Sequence, residues 1–222
     1  MFSDSFILCG SKPVYSRKTS TIIDQFGYVI RHNLLIRGEH YGFKDSYLHV
    51  CNSHLHNGLT TKSLYDFVDF YRSEKKYSIN YLHYINLYKE FVRTPGVFVH
   101  FPNNNTELLH NILSKNNWEG TLPKQFRAGL SLLGPLIAKS IKPYLIGYSL
   151  SKKSQNSHLF NKNYLNPTIG PQLFHDLPTE AKLICFLHNK GLVDASLCCI
   201  GEKSENISIR PSSEFIPLLN SI

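Results

Sequence analysis

Six short runs rich in β-branched and aromatic residues punctuate this chain, and they constrain the fold more than any other feature. They are SFILC (5–9), GYVIRHN (27–33), YLHVCN (47–52), GVFVHF (96–101), PYLIG (143–147) and DASLCCI (194–200). Most are near-continuously apolar, without the in-out alternation of a half-exposed strand, so both faces should be covered. Stretches of helical period lie between them. TTKSLYDFVDFYRSEKK sets Leu64, Phe67, Val68 and Tyr71 on one face, with Thr60 or Thr61 as cap. NNTELLHNILSKNN carries Leu108, Leu109, Ile112 and Leu113 at helical spacing with Asn at both ends. LPTEAKLICFLHNKG has Pro near its first turn, runs Ala181, Ile184, Cys185 and His188 along one side, and stops at Gly191. Strands alternating with helices predict an α/β fold: a Rossmann-like, mostly parallel twisted sheet with helices on both faces.

Such a sheet holds ligands at the carboxyl ends of its strands. Three runs end there in small or amide residues: Gly10-Ser11, Asn33 and Asn52. Asparagine offers two donors and an acceptor, suited to a base edge or ribose hydroxyls. The same residue types also make ordinary turns.

The formal net charge is +8, which predicts an anionic partner. No acidic residue occurs between Glu119 and Asp176, while Lys124, Arg127, Lys139, Lys142, Lys152, Lys153 and Lys162 all do. Either a solvated basic face or a site for phosphate or carboxylate fits this pattern. Residues 149–174, rich in Ser, Asn and Lys, lack periodicity and read as a lid over a nucleotide-binding domain made of 1–148 and 175–222. His175 stands between that segment and the last long helix, where an imidazole could accept a proton from an attacking hydroxyl or simply cap the helix.

The five cysteines, Cys9, Cys51, Cys185, Cys198 and Cys199, show no C-x-x-C spacing. They read as buried thiols in a reducing compartment rather than disulfides or zinc ligands. No basic segment leads into a long apolar one at the start, so no signal peptide is expected. AGLSLLGPLIAKSIKPYLIGYSL is broken by Pro135, Lys139, Lys142 and Pro143. It reads as a helix and a buried strand instead of a membrane span.

Taken together, the motifs resemble those of the bacterial sialyltransferases of glycosyltransferase family 42. The elements are CGSKPVYS after the first strand, YVIRHN and LHVCN ending in Asn, RAGLSLLGPLIAKSIKPYLIG with its strand ending in Gly, and HDLPTEAKLICFL followed by LCCIGEKSE. The resemblance implies a cytoplasmic enzyme working at the inner face of the membrane. It would move an acidic sugar from CMP-sialic acid or a related CMP-sugar to a glycan acceptor of lipopolysaccharide or capsule, with inversion and without a metal or resident cofactor. A homo-oligomer is also implied. His175 falls on the catalytic base position. Gly10, Ser11, Asn33, Asn52, Ala128, Gly129 and Gly147 fall on or near the nucleotide-binding positions.

The chain departs from the family at several points. Ser11 replaces an asparagine and Lys12 a glycine. Arg127 is two residues out of register with a family arginine. The family also sets two tyrosines against the leaving phosphate, but here Tyr148 comes before those positions and Tyr164 after them. Arg127, Lys152, Lys153 and Tyr164 are therefore the residues expected to meet the phosphate. A CMP-Kdo-type transferase and a catalytically inactive sugar-nucleotide-binding relative are the nearest alternatives. A basic nucleic-acid-binding protein, suggested by YSINYLHYINLYKEF, is a more distant one; that aromatic spacing is near-helical and fits a core, so no nucleic-acid partner is expected.

Overall fold

The structure, a computed structural model, describes residues 2–10, 16–32, 39–44, 47–51, 97–100, 102–121, 128–148, 150, 177–200 and 208–221. Its centre is a five-stranded, wholly parallel sheet. The strands are β1 (Phe6–Cys9), β2 (Tyr28–His32), β3 (Tyr47–Cys51), β4 (Val97–His100) and β5 (Tyr144–Ile146), in the order β4-β3-β2-β1-β5. Helix α1 (Arg17–Ile23) follows β1. Helices α2 (Pro102–Lys115), α3 (Ala128–Ser131) and α4 (Leu133–Ala138) lie between β4 and β5, and α5 (Leu177–Asn189) comes after β5. Short 3₁₀ turns at Ser196–Cys199 and Ser213–Phe215 precede α6 (Ile216–Leu219). The chain is thus an α/β protein with a parallel sheet.

Side chains alternate along each central strand between two apolar cores, which explains why the runs look continuously apolar. Leu8, Ile30 and Leu145 face a core closed by Leu109 and Leu113 of α2, Leu130 and Leu133 of α3 and α4, and Leu183, Ile184 and Leu187 of α5. Ile7, Cys9, Val29 and Ile146 face the other, closed by Ile23 of α1 with Phe2, Phe26, Leu197 and Phe215. Each such aliphatic side chain contributes about 1.5–3 kcal/mol on burial. Phe2 stacks between Phe26 (4.5 Å between centroids) and Phe215 (5.7 Å), with Tyr144 edge-on at 5.3 Å. The two ends of the chain are joined through this aromatic stack.

Helix ends follow local chemistry. Ser16 and Thr19 form a reciprocal capping box at the start of α1. Helix α5 stops at Gly191, whose φ of 71° lets Gly191 N–H donate to the His188 carbonyl (2.8 Å) and Leu192 N–H to that of Leu187 (2.9 Å). Asn117, at φ 60°, closes α2 in the same manner.

Two expectations are corrected. DASLCCI is not a sixth strand. Asp194 begins one, its N–H donating to the Pro143 carbonyl (2.9 Å) and its own carbonyl accepting from Leu145 N–H (2.8 Å). Asp194 Oδ1 then accepts the Ser196 N–H (2.9 Å), which consumes the amide a ladder would need, and the backbone coils into the 3₁₀ turn. The single helix expected after Ala128 is two, separated at Leu132. Pro135 has no N–H to give the Ser131 carbonyl and its ring crowds that carbonyl, so the first helix ends there. The helix expected at TTKSLYDFVDFYRSEKK lies outside the described residues.

Asp194 also fastens the C-terminal segment. It is 2% exposed, and Ser212 Oγ donates to its Oδ2 (2.5 Å) while Ser212 N–H donates to Ser196 Oγ (2.7 Å). Burial alone would raise its pKa. Hydrogen bonds from Ser196 and Ser212, with the Lys142 ammonium at 3.8 Å, outweigh it and hold the carboxyl below its ordinary value. His188 accepts Ala195 N–H at Nδ1 (3.1 Å), so its Nε2–H donates to the Arg210 carbonyl (2.9 Å). Both ring nitrogens serve the backbone, which makes this histidine a staple.

Candidate functional site

The strand order reverses beside β1. From β1 the chain passes through α1, on one face, into β2. It returns to β5, on β1's other side, through α2 to α4 on the opposite face. Connections leaving to opposite faces open a crevice at the carboxyl ends of β1 and β5, where open α/β sheets hold ligands.

Glycines stand at these strand ends, Gly10 partly exposed and Gly129 and Gly147 buried. Gly10 N–H donates to the Ile146 carbonyl (2.7 Å), drawing the strand ends together. A Cβ on Gly10 would overlap the Gly147 carbonyl oxygen, stand 2.8 Å from its carbon and lie 3.2 Å from Tyr148 Cδ2. Gly147 has φ 74°, a conformation that favours glycine, and this turn directs Tyr148 back across the sheet end. A Cβ on Gly129, near the start of α3, would stand 2.8 Å from Tyr148 Cζ and overlap the hydroxyl. The phenol ring therefore spans from Gly10 to Gly129.

Tyr148 is 3% exposed, and its hydroxyl is hydrogen-bonded to His32 Nε2 at 2.8 Å. The rings meet edge to face, 6.2 Å between centroids. His32 ends β2 and is half-buried. The bond thus runs from the end of β2 to the end of β5, across the end of β1.

On the sheet's opposite face Arg31 is 3% exposed. Its Nη2 donates to the carbonyls of Tyr41 (2.9 Å), Gly42 (3.4 Å) and Lys44 (2.9 Å). The Asp24 carboxylate accepts the N–H groups of Phe43 (2.9 Å) and Lys44 (2.8 Å) from the same turn, and Lys44 Nζ donates to the Phe26 carbonyl. Opposite charges clamp the two poles of one turn, which accounts for a guanidinium inside a parallel sheet. Beside it, burial pushes the Cys9 thiol up to about 11, with Arg31 opposing and Asp24 adding to the rise.

Of the sequence-predicted residues, Gly10, Gly129 and Gly147 are brought together, and Ala128 opens the same short helix. Ser11, Asn33, Asn52, Arg127, Lys152, Lys153, Tyr164 and His175 lie outside the described residues, as does most of 149–174. Leu150, within that segment, is buried in the core that holds Tyr148. In sequence, Asn33 and Asn52 directly follow His32 of β2 and Cys51 of β3. Cys9, Cys185, Cys198 and Cys199 are buried thiols outside any disulfide. Among the described residues no group of three His, Cys, Asp or Glu side chains could hold a metal, and no helix is long and apolar enough to cross a membrane. The sequence reading missed Arg31 and the Tyr148–His32 pair. A charged residue within an otherwise apolar run was the signal for Arg31.

No protein-family model matches the sequence, and no curated protein matches it either.

Proposed function

We propose that this chain is a glycosyltransferase with a Rossmann-like nucleotide-binding fold and a lid. It moves an acidic sugar, in the first place sialic acid, from a CMP-sugar to a hydroxyl of a glycan acceptor. The observation that carries the reading is the convergence of Gly10, Gly129 and Gly147 at the switch point of the sheet. Gly10 stands at the end of a strand, Gly129 and Gly147 are positions that the family resemblance implies, and the three lie far apart in sequence. Asn33 and Asn52, next in sequence after two strands of the same parallel sheet, would supply amide groups to the cytidine and ribose.

In this reading His175 removes the proton of the acceptor hydroxyl, whose oxygen attacks the anomeric carbon in line as the bond to CMP breaks. The anomeric configuration inverts and CMP departs with the bonding electron pair. A positioned general base supplies typically 10²–10⁴-fold, roughly 3–5 kcal/mol of the barrier. Positioning supplies the rest, with stabilisation of the departing phosphate by Arg127, Lys152, Lys153 and Tyr164. The reaction needs no metal and no resident cofactor. The enzyme works in the cytoplasm at the membrane's inner face, as a homo-oligomer.

The test is transfer from CMP-sialic acid, and in parallel from CMP-Kdo, to a panel of glycans. His175→Ala should keep CMP affinity and lose most turnover; loss of both together would make His175 structural. Salt-steep binding of single-stranded oligonucleotides without CMP binding would overturn the proposal.

A further inference from the structure

We propose that His32 is a ligand-contacting residue of the crevice and that Tyr148 is the positioning residue that sets its imidazole. The inference rests on the nucleotide-sugar reading and names a contact within that same site. Both residues lie on the crevice side of the sheet, but they differ in access: the phenol is 3% exposed, whereas the imidazole is half-buried at the last position of β2. A nucleotide seated over Gly10 therefore meets the imidazole, with the phenol behind it.

The phenol is well suited to hold its partner. A Cβ on Gly129 would overlap the hydroxyl and one on Gly10 would press on Cδ2 at 3.2 Å, so the ring packs closely against a glycine at each end. Its hydroxyl, 2.8 Å from His32 Nε2, fixes the orientation of the imidazole. A polar side chain locked by a buried partner is the arrangement that preorganises a contact with a ligand. The bond joins residues 116 apart in sequence and ties the strand before Asn33 to the turn after β5. The ligand group it meets is an oxygen, from a ribose hydroxyl or the phosphate.

Calorimetric titration with CMP and with cytidine tests the assignment, each variant's melting temperature being measured alongside. Tyr148→Phe keeps the ring and removes only the hydroxyl. It should weaken CMP binding about tenfold, the scale of one hydrogen bond. His32→Leu should do at least as much, and His32→Gln, which retains hydrogen-bonding capacity, should recover part of the loss. Because Tyr148 acts through His32, the double variant Tyr148→Phe/His32→Leu should bind no worse than His32→Leu alone. A loss seen with CMP but not cytidine assigns the contact to the phosphate; equal losses assign it to the ribose. Wild-type affinity in Tyr148→Phe or His32→Leu, or additive losses in the double variant, would overturn the inference while leaving the nucleotide reading intact. If Tyr148→Phe does not fold, the two His32 variants decide the matter by the same criteria. A wild-type protein that binds neither CMP nor cytidine would remove the nucleotide reading, and this inference with it.

Discussion

Gly129 packs so closely against Tyr148 that a Cβ at position 129 would stand 2.8 Å from the phenol's Cζ and overlap its hydroxyl. The two residues are 19 apart in sequence, and each limits the size of the other. Gly129→Ala should therefore displace the ring, break the bond to His32 and cost roughly 1–3 kcal/mol, as overpacking of a buried site does. Urea unfolding measures it. Unchanged stability and unchanged CMP affinity would mean that the ring yields freely and that the crevice does not depend on it.

The turn at residues 41–44 should depend on both of its charged clamps. Arg31→Met leaves the carbonyls of Tyr41, Gly42 and Lys44 without their donor and should cost roughly 1–3 kcal/mol. Asp24→Asn weakens the bonds from Phe43 and Lys44 N–H and should cost less. The two act on one turn, so the double variant should lose less than the sum, which a double-mutant cycle on denaturant midpoints checks.

Asp194 gives a pH signature. Its folded pKa lies below the unfolded value, so its stabilisation is complete above the ordinary carboxylate range near pH 4 and is lost as pH falls through the folded value. Asp194→Asn should then differ most from wild type at neutral pH, by roughly 1–3 kcal/mol, and the two should converge in acid. A constant difference from pH 7 to pH 2 would contradict this.

Cys9 should resist alkylation in the folded protein. With its thiol pushed up to about 11, hardly any thiolate exists at pH 8, and the sulfur is shielded as well. Peptide mass spectrometry after iodoacetamide treatment should show Cys9 modified promptly in urea and only slowly without it. Equal rates would mean that the end of β1 opens readily.

The strands were legible because apolar runs bounded by turn residues encode them directly. All five lie within one residue at either end of the runs that predict them. The 3₁₀ turn at Ser196–Cys199 was not legible, since Ala-Ser-Leu-Cys-Cys-Ile has the composition of a strand and only the Asp194 carboxylate, by taking the Ser196 N–H, diverts it. Helix α1 is too short to show a period, and the capping box of Ser16 and Thr19 becomes visible only in the fold. In the site, the glycines were visible as strand ends and helix starts. Tyr148 and His32 were not, because 116 residues separate them and only the return of the chain to the far side of β1 makes them neighbours.

The most direct measurement is a crystal structure of the protein soaked with CMP. The account predicts cytidine in the crevice between β1 and β5, over Gly10, with Asn33 and Asn52 on the nucleoside and His175 at the same rim facing the phosphate. CMP bound away from that crevice, or His175 on the opposite side of the sheet from the two asparagines, would contradict it.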